Sequence, residues 1–338
     1  MPDPSLQSLL RDTSRSFYLT LRILPRAVRP QVGLAYLLAR TTDTIADSEL
    51  VPLESRLQAL AALRDRIMGA SSAPLNFAGL TPGQESKAER ALLERCEETL
   101  RILGGFAEED RRLIREVLIT IISGQELDLK RFGAPHFPEL AALETDAELD
   151  DYTWRVAGCV GEFWTRICRA HLYPHARLDD PVLLRDGIRF GKGLQLVNIL
   201  RDIPADLCKG RCYIPRQSLQ AAGLAPEDLR SAASEPRFRA LYRTWLGRAG
   251  DHLEAGWNYT NALPSGQWRL RLACAWPILI GARTLRRLRG ENVLDATRRI
   301  KIRRPEVRAI VARSILLLFW PSGWKAQFGR EMGMSKWS

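Results

Sequence analysis

Apolar residues recur at steps of three and four through almost every long segment of the chain, and strictly alternating runs of the strand type are missing. Leu57, Leu60, Leu63 and Ile67 fall on one side of a helix over Leu53–Met68. The same spacing predicts helices over 32–49, 85–104, 108–129, 150–170, 181–207, 237–263, 268–289 and 304–319. Residues 69–84 and 131–138, rich in Gly, Pro and Ser, read as loops, and Pro264–Gln267 breaks another helical run. No repeat, low-complexity tract or compositional break divides the chain. The expectation is one all-α domain over residues 1–338, with a core of about 10–290 and a basic, then apolar, helical segment over 291–338.

One stretch departs from this simple patterning. Gly193–Pro215 (GLQLVNILRDIPADLCKGRCYIP) interleaves Leu194, Leu196, Val197, Ile199, Leu200 and Ile203 with Gln195, Asn198, Asp202 and Asp206. On a helix those polar positions form a single stripe. Carboxylates on a helix suited to burial need a partner, because an unpaired buried charge is costly. Mg²⁺ is one such partner, since it takes one or two carboxylates plus substrate oxygens. For this motif alone, an N-cap with exposed surface acids is the simpler reading, and a second acidic pair elsewhere would reverse it.

A second pair lies on 32–49 (VGLAYLLARTTDTIADSE), where Asp43 and Asp47 stand four apart, with Arg40 and Tyr36 one and two turns earlier. Each acid pair thus sits on an apolar helix with an arginine beside it, Arg40 in one case and Arg201 in the other. Facing one another, two such pairs suit a cluster of Mg²⁺ ions bridging a diphosphate, which then departs from an allylic carbon. Near the start, Thr13-Ser14-Arg15-Ser16-Phe17 offers hydroxyls, a guanidinium and free backbone N–H groups to an anion, although Ser or Thr there is also an ordinary N-cap.

Charge narrows the choice of ligand. The formal net charge is +11, and eleven Arg/Lys against three acids lie between Arg283 and Arg313. Such an excess suits nucleic acid, an anionic membrane surface or a phosphate-bearing ligand. No zinc-finger spacing, RNP-like motif or Gly-rich basic tail is present, so nucleic acid is not expected as a partner. Six scattered cysteines, with Cys208 and Cys212 lacking a second ligand pair, read as free thiols of a cytoplasmic protein. No signal peptide is visible, and the apolar run Ile315–Trp320 is far too short to span a bilayer. The C-terminal VRAIVARSILLLFWPSGW fits either peripheral membrane contact or a helix packed on the body.

Taken together, TSRSF, YLLARTTDTIAD, YTWRVAGCVG (152–161) and LQLVNILRDIPAD…GRCYIP resemble the squalene/phytoene synthase family in order and spacing. The resemblance implies an all-α isoprenoid synthase fold, with a central apolar cavity between two facing Asp-rich motifs. It implies Mg²⁺ at Asp43, Asp47, Asp202 and Asp206 with Asn198 as a helper ligand. It further implies diphosphate contacts from Ser14, Arg15, Ser16, Tyr36, Arg40, Gln195, Asn198, Arg201 and Arg211, and a catalytic role for Tyr152 beside the reacting carbons. Gln125 and Asp128, within SGQELD at 123–128, resemble a cavity-lining segment of the family.

Two features depart from the pattern. Ala46 stands where animal squalene synthases carry a further acid, and Pro204 lies inside the second motif, where it should kink or loosen the helix near Asp206. Within the family, Arg299-Ile300-Lys301-Ile302-Arg303 resembles the segment with which squalene synthases meet NADPH phosphates, and Leu285 stands where carotenoid-type enzymes have tyrosine. No GxGxxG–strand unit exists, so NADPH would bind outside a Rossmann fold, through Lys301 and Arg303. The expected reaction is condensation of two farnesyl diphosphates to presqualene diphosphate and reduction to squalene. Phytoene or dehydrosqualene synthesis, or arrest at presqualene diphosphate, are the alternatives, and a noncatalytic membrane-surface scaffold is the reading from another class.

Overall fold

A computed structural model of the chain describes residues 4–14, 17–80, 86–133 and 140–333. The described residues form two compact units, one within Met1–Ala134 and Phe163–His175, the other within Pro135–Glu162 and Ala176–Ser338. Both are built of helices, as the spacing predicts.

The first unit contains α1 (Pro4–Ser14), α2 (Phe17–Ile23), α3 (Arg29–Ala46), α4 (Leu53–Met68), α5 (Lys87–Glu94), α6 (Cys96–Gly104) and α7 (Glu108–Phe132). Helix α3 buries Leu34, Leu37, Leu38 and Ile45 and packs on α7, α4 and α6. Each fully buried leucine of this kind contributes about 1.5–3 kcal/mol. The single helix expected over 85–104 is broken at Arg95 into α5 and α6. Ser86 caps α5, its Oγ accepting from the Glu89 N–H. Gly69, at φ +76°, closes α4 by donating its N–H to the Arg66 carbonyl.

In the second unit β1 (Ala141–Ala142) leads to α8 (Asp146–Thr153), a π-helical turn over Trp154–Gly158, and α9 (Cys159–Leu172), whose residues from Phe163 onward belong to the first unit. Then come α10 (Asp180–Cys208), β2 (Arg211–Cys212), α11 (Arg216–Ala221), α12 (Glu235–Ala262), α13 (Trp268–Leu288), α14 (Arg304–Leu317), α15 (Pro321–Lys325) and α16 (Gln327–Met332). Continuous helical spacing over 150–170 hides the π turn, which admits one extra residue and is a feature frequent at functional sites. It lies where the chain crosses α10 at backbone contact. A Cβ on Gly161 would stand 1.9 Å from the Gly187 carbonyl oxygen, and one on Gly191 would stand 2.1 Å from that of Ala157. The small residues of YTWRVAGCVG therefore serve this crossing between helices.

Helix α10 includes Pro204. It continues through that residue to Cys208. A proline lacks the N–H that would reach back to the carbonyl four residues earlier, here that of Leu200. The buried Tyr242 hydroxyl on α12 donates to that same carbonyl at 3.0 Å. The orphaned acceptor is thus satisfied from a neighbouring helix, and α10 keeps its course across the second acidic motif. Gly210, at φ +78°, then turns the chain into β2, which pairs in parallel with β1. This two-residue pairing, too short for any sequence period to reveal, ties the start of α8 to the end of α10.

Candidate active site

Within the first unit, Asp43 lies in the last turn of α3 and Asp47 at its C-cap, with the Asp47 N–H bonded to the Asp43 carbonyl at 2.8 Å. The Asp43 carboxylate meets the Arg40 guanidinium at 3.6 Å and accepts from the Gln125 amide on α7. Desolvation by the surrounding protein, opposed by Arg40 and reinforced by the like charge of Asp47, raises its pKa to about 6. Arg40 is also ion-paired with Glu89 at the start of α5. Tyr36 donates its hydroxyl to the Thr13 carbonyl at 3.1 Å. Ser14 is buried, and its Oγ has no hydrogen-bond partner among the described residues. Arg15 and Ser16 lie outside the described residues.

Two partners at this motif were less legible in sequence. Gln125 was visible only through its family-like segment, and the structure brings it onto Asp43. Glu89 carried no signal beyond the Ser86-x-x-Glu89 capping spacing, which sets the first turn of α5 and so the position of its carboxylate.

Within the second unit, Gln195, Asn198, Asp202 and Asp206 form the less buried stripe of α10, while Leu196, Val197, Ile199, Leu200, Ile203 and Leu207 are buried. Arg201 grips the neighbouring Asp202 through two N–H groups, Nε to Oδ1 at 2.9 Å and Nη2 to Oδ2 at 2.5 Å. Arg211 opens β2, in register with Ala141. Tyr152, buried on α8, stacks on Tyr213 with ring centroids 5.0 Å apart, and the two hydroxyl oxygens are 3.5 Å apart. Tyr213 follows β2 directly, so the short strand pairing is what carries it to Tyr152. Nothing in the spacing of GRCYIP marked it as a partner.

Lys301 and Arg303 lie on an extended run preceding α14, with both side chains exposed. Arg287 donates to the Lys301 carbonyl, and Glu306 accepts the Arg303 N–H at 3.0 Å while its carboxylate stands 3.5 Å from the Arg303 guanidinium. The backbone of this run is therefore pinned; the Lys301 side chain is exposed, and the Arg303 guanidinium, also exposed, is shared with Glu306.

The donor set suits Mg²⁺. Asp43 with Asp47 in one unit, and Asp202 with Asp206 in the other, each offer hard oxygen ligands of the kind Mg²⁺ takes. Among the described residues no group of three or more His, Cys, Asp and Glu is gathered tightly enough to hold a metal unaided. An ion at either pair would complete its shell with water and phosphate oxygens, as Mg²⁺ ordinarily does. The six cysteines are free thiols, with only Cys208 exposed.

This fold is shared by solved structures. The complex of TcSQS with the ligand E5700 aligns with a TM-score of 0.78 at 20% identity, covering 97% of this chain and 90% of that one. Squalene synthase HpnC from Alicyclobacillus acidocaldarius aligns with a TM-score of 0.61 at 23% identity, covering 85% and 94%. The squalene/phytoene synthase profile matches residues 10–306, and the chain belongs to that family. Among its relatives, the presqualene diphosphate synthase of Zymomonas mobilis is 34% identical over 253 residues, 75% of this chain and 74% of the relative. The phytoene synthase of Mycobacterium tuberculosis is 28% identical over 301 residues, 88% of this chain and 84% of the relative. The chain is accordingly a prenyltransferase of isoprenoid biosynthesis, acting on prenyl diphosphates.

Proposed function

We propose that the protein joins two farnesyl diphosphates head to head to give presqualene diphosphate. The observation that supports this most directly is the state of the two acidic motifs. Both pairs are held on well-packed helices, each with an arginine already in contact with its first aspartate. The family relationship and the presqualene diphosphate synthase of Zymomonas mobilis supply the reaction class.

In this reading Asp43, Asp47, Asp202 and Asp206, helped by Asn198, hold Mg²⁺. When bound, the metal polarises a diphosphate oxygen and so weakens the allylic C–O bond. Arg40 and Arg201 exchange their carboxylate partners for phosphate oxygens, for which a guanidinium fork is well matched. Ser14, whose Oγ has no partner among the described residues, is read as a donor to phosphate oxygens, as are Arg15, Ser16, Tyr36, Gln195 and Arg211. Tyr152 is held in place through its stack on Tyr213, so the phenol is set to donate its O–H to the departing diphosphate, or to relay a proton by accepting one as its own O–H proton passes to a diphosphate oxygen.

A second reading adds NADPH-dependent reduction to squalene. It is favoured by Lys301 and Arg303, two exposed cations on a pinned backbone, a geometry suited to nucleotide phosphate.

Incubation with farnesyl diphosphate and Mg²⁺, with and without NADPH, separates these readings by product mass. Presqualene diphosphate in both cases supports condensation alone, and squalene only with NADPH adds the reductive step. Phytoene from geranylgeranyl diphosphate, with no product from farnesyl diphosphate, would refute both. Asp43→Asn and Asp202→Asn are each expected to abolish turnover with the far-ultraviolet circular dichroism unchanged. Near-normal turnover in either variant overturns the metal assignment.

A further inference from the structure

The tip of α14 carries a set of side chains that the chemistry does not use. Ile315, Leu316, Phe319 and Trp320 are 46%, 79%, 84% and 63% exposed. A lone exposed leucine is ordinary, whereas four large apolar side chains within six residues of one helix end form a patch that marks an interaction site. Helices α13 and α14 run antiparallel, as two links between them show. Glu306 pairs with Arg283 and Arg287, and the Trp276 indole donates to Ser314. That alignment brings the C-terminal end of α14 level with the start of α13, where Trp268 is 41% exposed and Arg269 lies over its ring at 5.0 Å.

The patch sits on a rigid base. Trp324 stacks on Trp257 with centroids 5.3 Å apart and donates to Asn261, while Trp257 donates to the Lys325 carbonyl at 3.2 Å. The chain just beyond the exposed residues is thereby clamped to α12, and the four side chains are presented from a fixed support.

The surrounding charge is of one sign. From residue 299 to residue 330 the chain has eight Arg/Lys and one acid, Glu306, which is taken up by Arg283 and Arg287. Arg304 and Arg308 are exposed on the outward side of α14, and Lys325 is exposed beside the patch. Side chains this accessible line no groove, so a partner must receive them rather than fill a space between them. An aromatic and aliphatic helix end that shares its exposed face with the cations Arg304 and Arg308 has the composition of an interfacial membrane contact. Among the described residues no helix is long and apolar enough to cross a membrane.

We infer that the tip of α14, with Trp268, docks on the surface of an anionic lipid bilayer, with Ile315, Leu316, Phe319 and Trp320 entering the headgroup–acyl boundary and Arg304, Arg308 and Lys325 meeting lipid phosphates. This goes beyond the proposed reaction and holds whichever prenyl diphosphate is consumed.

The test is co-sedimentation of the full chain with phosphatidylcholine vesicles and with mixed phosphatidylcholine–phosphatidylglycerol vesicles, without substrate, so that its failure says nothing of the chemistry. The wild type is expected to partition onto the mixed vesicles and far less onto the zwitterionic ones, and added salt should weaken the binding. Phe319→Ser/Trp320→Ser should lower the partition coefficient at least about ten-fold. Arg304→Gln/Arg308→Gln should lower it by roughly five-fold per residue. Leu316→Asn provides an independent third variant, and circular dichroism checks that all are folded. Failure of the wild type to bind mixed vesicles, or undiminished binding by the folded variants, overturns the inference. So does lipid-free self-association that these variants abolish, which would make the patch a contact between copies of the chain.

Discussion

The bond between Tyr242 and the Leu200 carbonyl can be tested through the gap that Pro204 creates. In the wild type that carbonyl has lost its helical donor, and the Tyr242 hydroxyl at 3.0 Å replaces it. Tyr242 is fully buried, and burial pushes its phenol pKa well above the usual value, so it remains a neutral donor. Tyr242→Phe keeps the ring and its packing but leaves a buried carbonyl unsatisfied, which costs about 1–3 kcal/mol. Pro204→Ala restores the N–H at position 204, so the carbonyl regains a helical donor. In that background Tyr242→Phe should cost well under about 1 kcal/mol, since no acceptor is left without a partner.

The expected coupling is therefore about 1–2 kcal/mol in a double-mutant cycle, above the ~0.3–0.5 kcal/mol within which independent sites add. Urea unfolding followed by circular dichroism at fixed temperature measures all four corners of the cycle. Turnover should follow the same pattern, because the bond sets the course of α10 between Asp202 and Asp206. Equal costs of Tyr242→Phe in both backgrounds would refute the reasoning and leave the continuity of α10 unexplained by that bond.

Two further outcomes concern the same unit. His252 on α12 is largely buried, with its pKa pushed down to about 4, chiefly by desolvation and then by the nearby Arg189 and Lys192, against the opposing pull of Asp150 and Asp251. Because the folded value lies below the unfolded value of about 6.5, its contribution is complete above pH 6.5 and is lost as the pH falls towards 4. His252→Gln should flatten the stability–pH curve across that window, and an unchanged slope between the two pH values would refute the assignment. Glu331 on α16 is buried and paired with Arg283 at 2.5 Å and Arg313 at 3.2 Å. Glu331→Leu removes a partner of Arg313 and leaves Arg283 only its contact with Glu306, so it should cost about 1–3 kcal/mol in urea unfolding, whereas no measurable loss would show that the two arginines find water instead.

Much of this architecture is legible in the sequence because helical burial imposes a period that survives in a single chain. Leu53–Met68 forms a helix with the predicted bounds, and α10 and α13 depart from theirs by only a residue at an end. The failures have particular physical causes. Arg95 interrupts 85–104 although the apolar spacing runs on, because a turn can break without disturbing the stripe. The π turn over Trp154–Gly158 adds a residue to a period that cannot report single insertions. The pairing of β1 with β2 has only two residues a side, too few for alternation to register.

The site divides along the same line. Carboxylates four apart declare themselves because both members lie on one element. Glu89, Gln125, Tyr213 and Tyr242 reach the motif residues of their own units from other elements, 49, 82, 61 and 42 residues distant in sequence from the groups they touch. Pro204 shows what this separation means for inference. Read locally, a proline inside an acidic motif predicts a disturbed helix, and local chemistry alone justifies that expectation. The hydroxyl that cancels it sits on α12, at a position that the periodicity of α12 marks only as core. A local rule fails here for a local reason, a missing donor, and is repaired by a group whose relevance exists only once the chain has folded. The acids of the motif can be read from sequence, but their placement on one uninterrupted stripe rests on a tyrosine that sequence gives no cause to single out.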